Sequence, residues 1–137
     1  MRRNMDNNEL IRIAMSARDT AYAPYSAFCV GAALLCKSGK VYTGCNIESR
    51  SFSPTCCAER TAFFKAVSEG EREFSAIAVV GGKRDSAVFG ICTPCGVCRQ
   101  VMSEFCDKDF TVILSDSQFN IKTMTLEDLL PFGFELN

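Results

Sequence analysis

The chain of 137 residues is 47% hydrophobic, which suffices for one domain with a hydrophobic core and is too little for two. Its 15 basic and 16 acidic residues give a net charge of -1, so no overall positive field would attract a nucleic acid. The lack of histidine excludes Ser-His-Asp hydrolysis, Cys-His proteolysis and histidine-ligated metal sites. We expect a single domain over residues 1–137 that acts on a small molecule.

Nine cysteines could indicate a secreted disulfide scaffold. Their number is odd, most of them lie in apolar runs, and no signal-peptide pattern opens the sequence. No apolar run approaches the ~20 residues that a membrane span needs. We expect a cytoplasmic protein without a membrane segment, in which sulfur or carboxylate ligands would hold any metal ion.

The first half of the chain predicts a helix followed by a β-hairpin. Apolar residues recur with helical spacing from residue 8 to about residue 20, and Asp6 resembles the cap of this helix. The apolar run over residues 29–36 predicts a buried strand. A turn signal at residues 37–40 should return the chain as an antiparallel strand over residues 41–45.

The second half alternates helices and strands. In chain order it predicts a helix over residues 57–69, a strand over 74–81 and an irregular loop over 82–91. A helix that starts at Pro94 and continues through 100–105 follows, and then a strand over 110–115. A possible fifth strand over 119–123 and a short helix over 126–130 end the chain. The order strand, helix, strand favours a parallel crossover. The predicted fold is a three-layer α/β sandwich, a mixed five-stranded sheet with helices on both faces.

Two cysteine stretches lie where helices are expected to begin, at residues 56–60 (Cys-Cys-Ala-Glu-Arg) and 93–98 (Thr-Pro-Cys-Gly-Val-Cys). Pro54 and Thr55 look like the entry and cap of the first of these helices. One thiolate from the first stretch and two from the second would give zinc three ligands, which leaves the fourth position for water as in catalytic sites. Helix N-termini favour thiolate over thiol. Glu59 would then carry protons beside the metal.

Other uses of the cysteines remain open at this point. Cys56 adjoins Cys57, and Cys92 forms a further Cys-x-x-Cys pair with Cys95, so a closed four-cysteine zinc site or an iron–sulfur cluster is conceivable. The spacing of Cys57 and Glu59 favours the open site, because a structural zinc site does not need that glutamate. The cysteines outside the proposed ligand set are most simply small buried hydrophobic residues, namely Cys29, Cys36, Cys45, Cys56, Cys92 and Cys106.

The pattern Cys-Ala-Glu-Arg at residues 57–60, followed by Pro-Cys-Gly-Val-Cys-Arg-Gln at 94–100, resembles the cytidine deaminases, in particular their short, three-cysteine, homotetrameric type. Further blocks match in order along the chain, at residues 23–26, 30–33, 44–48 and 129–131. The resemblance implies one Zn²⁺ ion per subunit, held by Cys57, Cys95 and Cys98, with Glu59 as the catalytic residue. It also implies that Arg60 offsets the negative charge of the thiolates, whereas Arg99 is expected to be a surface arginine.

The resemblance also implies contacts with the substrate. Phe28, expected in the loop before the first strand, would stack on the pyrimidine, Asn46 and Glu48 would bind the sugar hydroxyls, and the backbone of Ala58 would read the edge of the base. The residues alone favour other interpretations, with Phe28 as a core residue and Asn46 and Glu48 as ordinary polar residues at the end of a strand.

Two aromatic residues are implied to act between subunits. Phe52 would reach toward a neighbouring subunit's site without the hydroxyl of the tyrosine common at that position, and Phe134 would close over the base of an adjacent subunit. Phe52 could instead be a simple interface or core aromatic, and Phe134 could lie in a frayed C-terminal tail.

The expected function is hydrolytic deamination of cytidine or deoxycytidine to the uracil nucleoside and ammonia, with zinc activating a water molecule and Glu59 moving the protons. The substrate would be a free nucleoside, and we expect neither a nucleic acid nor a membrane as partner. One alternative is a blasticidin-type deaminase of another cytosine nucleoside. A second alternative, from a different class, is a structural-zinc interaction module without enzymatic activity.

Overall fold

The structure, a computed structural model, describes residues 5–136. In this range the elements are, in chain order, α1 (Asn7–Arg18), β1 (Phe28–Cys36), β2 (Val41–Cys45), α2 (Ala58–Ser68), β3 (Phe74–Lys83), α3 (Gly96–Phe105), β4 (Thr111–Ser115), β5 (Ile121–Thr125) and α4 (Leu126–Leu129). Of the helices in this range, none has the length and apolar character needed to cross a membrane.

The strands form one mixed sheet in the order β2-β1-β3-β4-β5. β1 runs antiparallel to both β2 and β3, and β4 runs antiparallel to β5. β3 and β4 pair in parallel and are connected through α3. The predicted mixed five-stranded sheet and the parallel crossover are therefore confirmed.

Helix α1 covers one face of the sheet. Its apolar residues Leu10, Ile11 and Ala14 are buried against strand residues that include Ala33 and Ala78. The helix starts at Asp6, whose carboxylate accepts a hydrogen bond from the backbone N–H of Glu9 at 2.8 Å. This bond is the one that an N-cap residue is expected to make, so the predicted cap is confirmed.

The other face carries a larger core beneath α2, α3 and α4. At its centre, the fully buried ring of Phe63 packs edge-on against Phe74 at a centroid distance of 5.1 Å and stacks on Phe105 at 6.1 Å. Because neighbouring residues of a strand point to opposite faces, β1 supplies Ala32 and Leu34 to this core. The two cores give the three layers that the sequence predicts.

Two glycines allow the helices to approach the sheet closely. A Cβ atom at Gly31 would lie 2.0 Å from the carbonyl oxygen of Ala14 in α1. One at Gly44 would lie 2.2 Å from the carbonyl oxygen of Ala58, the first residue of α2. Gly44 therefore fixes how near the first turn of α2 lies to β2.

Several predicted boundaries are wrong by a few residues. Phe28 is the first residue of β1 rather than part of a loop, and β3 continues to Lys83, so the irregular segment begins after the predicted start at residue 82. β5 begins at Ile121 instead of residue 119. Phe119 adopts a φ of 63°, a left-handed conformation that is incompatible with an extended strand.

Cys36 should make stability sensitive to alkaline pH. Burial, followed by the charge of Glu71, raises the pKa of its thiol from 9.0 to about 12. The stabilisation is complete below the unfolded-state pKa of 9.0 and is lost as the pH rises toward about 12, because the unfolded chain releases the proton first. We expect the melting temperature to fall across this interval, and to fall less steeply in Cys36→Ala. Parallel curves for the two proteins would contradict this prediction.

Candidate active site

Two helix starts carry the three cysteines of the predicted metal site. Cys57 is the N-cap of α2 and Cys95 is the N-cap of α3, both in extended conformation. The predicted cap at Thr55 is therefore wrong, and Pro94 precedes the cap instead of occupying the first helical position. The partial positive charges of two helix starts thus lie at the thiols, where they favour thiolate.

The spacing of the sulfur atoms fits a zinc ion. The Sγ atom of Cys95 lies 3.7 Å from that of Cys57 and 3.5 Å from that of Cys98, and all three lie within 4.8 Å of one another. Tetrahedral zinc with Zn–S bonds of about 2.3 Å separates two sulfur ligands by about 3.8 Å. Cys56 and Cys92 do not belong to this group, so within residues 5–136 the cluster has three thiols and not four.

The thiols of Cys57 and Cys98 differ in pKa. Hydrogen bonding from Cys98, assisted by Arg60, lowers the pKa of the Cys57 thiol to about 5. The same hydrogen bond, together with burial, raises the pKa of Cys98 well above its ordinary value. Cys57 is therefore the more acidic thiol of this pair, and a metal ion that binds both sulfurs must displace the proton that Cys98 holds.

Arg60 lies against the sulfur cluster. One of its terminal nitrogens donates a hydrogen bond to the Sγ atom of Cys57 at 3.4 Å. Hydrogen bonding to Cys57, and also to Cys98, raises the pKa of the guanidinium above its ordinary value. Its Nε atom is buried and has no hydrogen-bond partner among the described residues. A fixed positive charge therefore faces the thiols, at the position that the resemblance implies for Arg60.

Glu59 is buried in the first turn of α2 with only 4% of its surface exposed. Burial is the main cause that raises the pKa of its carboxyl from 4.5 to about 7, and the charge of Cys57 adds to it. Buried carboxylates are rare in proteins unless they are paired. A carboxyl that can hold or release a proton near neutral pH thus lies beside the sulfur cluster.

A cleft of about 290 Å³ opens onto these groups. Its lining includes Cys57, Cys95 and Glu59 together with three of the predicted substrate contacts, Phe28, Asn46 and Glu48. Further residues of the lining, which the sequence did not single out for contact with a substrate, are Ser26, Val30, Thr55, Cys56, Cys92 and Thr93. The structure thus brings most of the predicted site into one cavity.

Asn46 is held by the start of β1. Its side-chain oxygen accepts a hydrogen bond from the backbone N–H of Val30, and its side-chain nitrogen donates to the carbonyl of Phe28, both at 2.8 Å. The amide nitrogen has two hydrogens, so one of them remains for a ligand. Asn46 therefore fixes the strand that carries Phe28 and can also donate into the cleft.

Glu48 is held by the loop that precedes β1. Its carboxylate accepts hydrogen bonds from the backbone N–H groups of Tyr25 and Ser26, at 3.0 and 3.2 Å, and from the hydroxyl of Ser26. The bond from the Ser26 hydroxyl is the main cause that lowers the pKa of Glu48. An ionised carboxylate has about four acceptor positions, so about one remains for a hydroxyl of the sugar.

Three of the residues that were predicted to contact a substrate, in their own or a neighbouring subunit, lie outside the cleft of their own chain. Ala58 is fully buried and does not line the cleft, whereas the side chains of Phe52 and Phe134 are 91% and 62% exposed. Phe134 lines a separate groove along α3. Exposure of this degree leaves both rings available to another chain.

Four cysteines that were expected to be buried are only partly buried, namely Cys45, Cys56, Cys92 and Cys106. Partial burial still raises the pKa of the Cys92 thiol to about 11.

Arg99 is not the surface arginine that was expected. It is partly buried and donates hydrogen bonds to two main-chain carbonyl groups.

Residues 4–114 match the family model of the cytidine and deoxycytidylate deaminase zinc-binding region. The chain is 50% identical over 130 residues to the cytidine deaminase of Sporosarcina psychrophila, a match that covers 95% of this chain and 92% of that protein. It also matches the crystal structure of cytidine deaminase from Burkholderia pseudomallei with a TM-score of 0.87 and 47% identity, over 95% of this chain and 100% of that one. The chain therefore belongs to the zinc-binding cytidine and deoxycytidylate deaminase family.

Proposed function

We propose that this chain hydrolyses cytidine or deoxycytidine, consuming one water molecule and releasing ammonia and uridine or deoxyuridine, a step in pyrimidine salvage. The observation that carries the proposal is a buried carboxyl, that of Glu59, beside three thiols whose spacing fits zinc. The high identity to proteins named cytidine deaminase supports the same substrate class.

Cys57, Cys95 and Cys98 would hold one zinc ion per subunit. When bound, zinc acts as a Lewis acid that lowers the pKa of a water molecule toward neutrality. Three thiolates carry more negative charge than one zinc ion can neutralise. Arg60, which donates a hydrogen bond to Cys57, withdraws part of that charge and keeps the metal centre electrophilic.

Glu59 moves the protons. Its carboxylate takes one proton from the attacking water and delivers it to N3 of the pyrimidine, so that C4 becomes electrophilic and the water oxygen bonds to it. The carboxylate then takes the remaining proton from that oxygen and passes it to the amino group, which leaves as ammonia when the C4–N bond breaks and the C4 carbonyl forms. Burial raises the pKa of this carboxyl above its ordinary value, which helps it to hold a proton between these transfers. Water is consumed once, and the carboxylate is regenerated.

The cleft residues orient the nucleoside. Phe28 lines the cleft with 36% of its surface exposed, so its ring is available to stack on the base. The free amide hydrogen of Asn46 and the remaining acceptor position of the Glu48 carboxylate offer one donor and about one acceptor to the sugar hydroxyls. The backbone of Ala58 would read the edge of the base, although its side chain is buried.

We also propose that the chain forms a homotetramer in which Phe52 and Phe134 contact the sites of neighbouring subunits. Both rings are largely exposed on the single chain, as are Tyr22 and Tyr25 at 57% and 59%. Exposed apolar surface of this kind marks interaction sites. Light scattering should give four times the mass of one chain, and the mass of a monomer would contradict the proposal.

We propose that the chain is located in the cytoplasm, because its free thiols fit a reducing compartment. Disulfide bonds in the native protein would contradict that location.

Ammonia release tests the proposed reaction. The zinc-loaded chain is offered cytidine, deoxycytidine, blasticidin S and a single-stranded oligonucleotide that contains cytosine. We expect turnover of the free nucleosides and none of the oligonucleotide. Turnover of blasticidin S alone would indicate the antibiotic-modifying class, and zinc binding without any ammonia release would indicate an interaction module.

Replacing Arg60 should lower the deaminase activity of a protein that still folds. Arg60→Gln removes the positive charge beside the thiolates, and groups that support metal ligands in this way typically contribute about 10- to 100-fold to activity or metal affinity. We expect kcat/KM for cytidine to fall by about this factor, with partial retention in Arg60→Lys. A zinc-loaded Arg60→Gln protein with the wild-type kcat/KM would refute this role.

A further inference from the structure

The helices that start at the proposed ligands lack an ordinary N-cap. Neither Cys57 nor Cys95 caps its helix by accepting, through its side chain, a hydrogen bond from a backbone N–H of the first turn. In most helices such a bond fixes the conformation of the chain at the helix start. A thiolate that binds a metal does not serve as that cap, so another group must fix the main chain that leads to each ligand.

At α3 this group is Arg99. Its Nε atom donates a hydrogen bond to the carbonyl of Pro94, and a terminal nitrogen donates to the carbonyl of Leu129, both at 2.7 Å and both partly buried. Pro94 directly precedes Cys95 and is itself fully buried. The carbonyl of Leu129 belongs to the last residue of α4, where carbonyl groups have no partner within the helix. Arg99 thus joins the chain before Cys95 to the end of α4.

The two arginines near the thiols make different contacts. Arg60, three residues after Cys57, donates to a sulfur atom and so affects the charge of the cluster. Arg99, four residues after Cys95, donates to carbonyl groups rather than to sulfur. Its planar guanidinium can hold two acceptors at fixed angles, which the single ammonium group of lysine cannot do. Its contribution is therefore geometric.

We infer that Arg99 is a positioning residue of the metal centre. It holds the chain before Cys95 against α4, so that the thiols of Cys95 and Cys98 keep the separation that zinc requires. The inference rests on the proposed assignment of Cys57, Cys95 and Cys98 as zinc ligands. It predicts that loss of Arg99 accelerates zinc release, because the entry to the ligand helix becomes free to move.

The test is the rate at which the zinc-loaded full chain transfers its metal to a chromogenic chelator. Arg99→Gln should release zinc about 10-fold or more faster than wild type, and Arg99→Lys should lie between them. The matched control is Arg72→Gln. Arg72 also joins two carbonyl groups, those of Val67 and Glu71 at 2.7 and 2.8 Å, but it lies beyond the C-terminal end of α2, away from the thiols. Arg72→Gln should keep the wild-type release rate.

A second readout separates positioning from general loss of stability. With Co²⁺ in place of zinc, the sulfur-to-cobalt absorption band reports on the ligand geometry, and it should change in Arg99→Gln and not in Arg72→Gln. Wild-type release and an unchanged band in Arg99→Gln would overturn the inference. Equal acceleration in both variants, in step with equal losses of melting temperature, would overturn it too. If Arg99→Gln does not fold, Arg99→Lys is judged by the same criteria.

A separate variant distinguishes a wrong assignment of the zinc ligands from a wrong role for Arg99. If Cys95→Ser binds zinc as fully and as tightly as wild type, the three thiols are not the ligands, and the proposed function loses its metal centre. If Cys95→Ser loses zinc while Arg99→Gln retains it with the wild-type release rate, the site assignment stands and only the role of Arg99 is refuted.

Discussion

Glu59→Gln should retain zinc and lose nearly all deaminase activity. The amide has almost the shape of the carboxyl group but cannot take a proton from water or pass it to the substrate. Positioned general acid–base groups contribute about 10²- to 10⁴-fold, and we expect a loss of kcat toward the upper end because Glu59 moves several protons in each turnover. The measurement is kcat for ammonia release from cytidine together with the zinc content per chain.

The fold should tolerate this substitution. Glu59 is 4% exposed and burial raises its pKa, so the ionised carboxylate is unfavourable in the folded chain, and a neutral amide removes that cost. The matched control is Glu104→Gln, which changes an exposed glutamate on α3 and should leave kcat unaltered. A Glu59→Gln protein with kcat close to that of wild type would refute the assigned role.

Gly44→Ala should destabilise the chain strongly and also damage the site. The new methyl group would lie 2.2 Å from the carbonyl oxygen of Ala58 and 2.6 Å from the backbone nitrogen of Ala62. Both are backbone atoms of α2, so the helix itself must move. Overpacking of a well-packed core typically costs 1–3 kcal/mol, and we expect a loss of about 3 kcal/mol in the free energy of unfolding. Because α2 carries Glu59 and starts at Cys57, kcat/KM should fall as well.

Two other glycines serve as controls for this prediction. Gly31→Ala places a methyl group 2.0 Å from the backbone of α1 on the opposite face of the sheet, so it should cost similar stability with little change in kcat of the folded protein. At Gly90 an added Cβ atom meets nothing within 4 Å, so Gly90→Ala should leave the melting temperature nearly unchanged. Equal melting temperatures for Gly44→Ala and Gly90→Ala would show that α2 does not need this close approach.

The chemistry of the site could be predicted because it depends on short spacings in the chain. Cys57 and Glu59 are separated by one residue at a helix start, and Cys95 and Cys98 by two residues at another. Helix geometry then places each pair on one turn without any tertiary information. The meeting of the two helix starts follows from the parallel β3–β4 crossover, which alternating strand and helix patterns also predict.

The contacts that hold these residues in place could not be predicted in the same way. Glu48 is bound by the backbone and hydroxyl of Ser26, 22 residues earlier in the chain. The acceptors of Arg99 are the carbonyl groups of Pro94 and Leu129, and every residue has a carbonyl group, so no residue type signals such a contact. These partners are set by tertiary packing rather than by local pattern.

The ends of the elements show the same limit. The apolar pattern finds the strand near residue 120 but cannot reveal that Phe119 takes a left-handed conformation, which delays the start of β5. Cysteine is not a common N-cap residue, so the sequence favoured Thr55 and Pro94 as helix starts. In the structure Cys57 and Cys95 occupy the cap positions, where the proposed metal ligands lie at the helix ends.

The zinc-edge X-ray absorption spectrum of the purified, zinc-loaded chain is the decisive measurement for an open three-cysteine zinc site, because it reports the number and type of atoms bound to the metal. We expect three sulfur neighbours at about 2.3 Å and one oxygen neighbour at about 2.0 Å. With Cys95→Ser, one sulfur neighbour should be lost. A spectrum with four sulfur neighbours in the wild-type chain would contradict an open catalytic zinc site, because no position would remain for the reacting water.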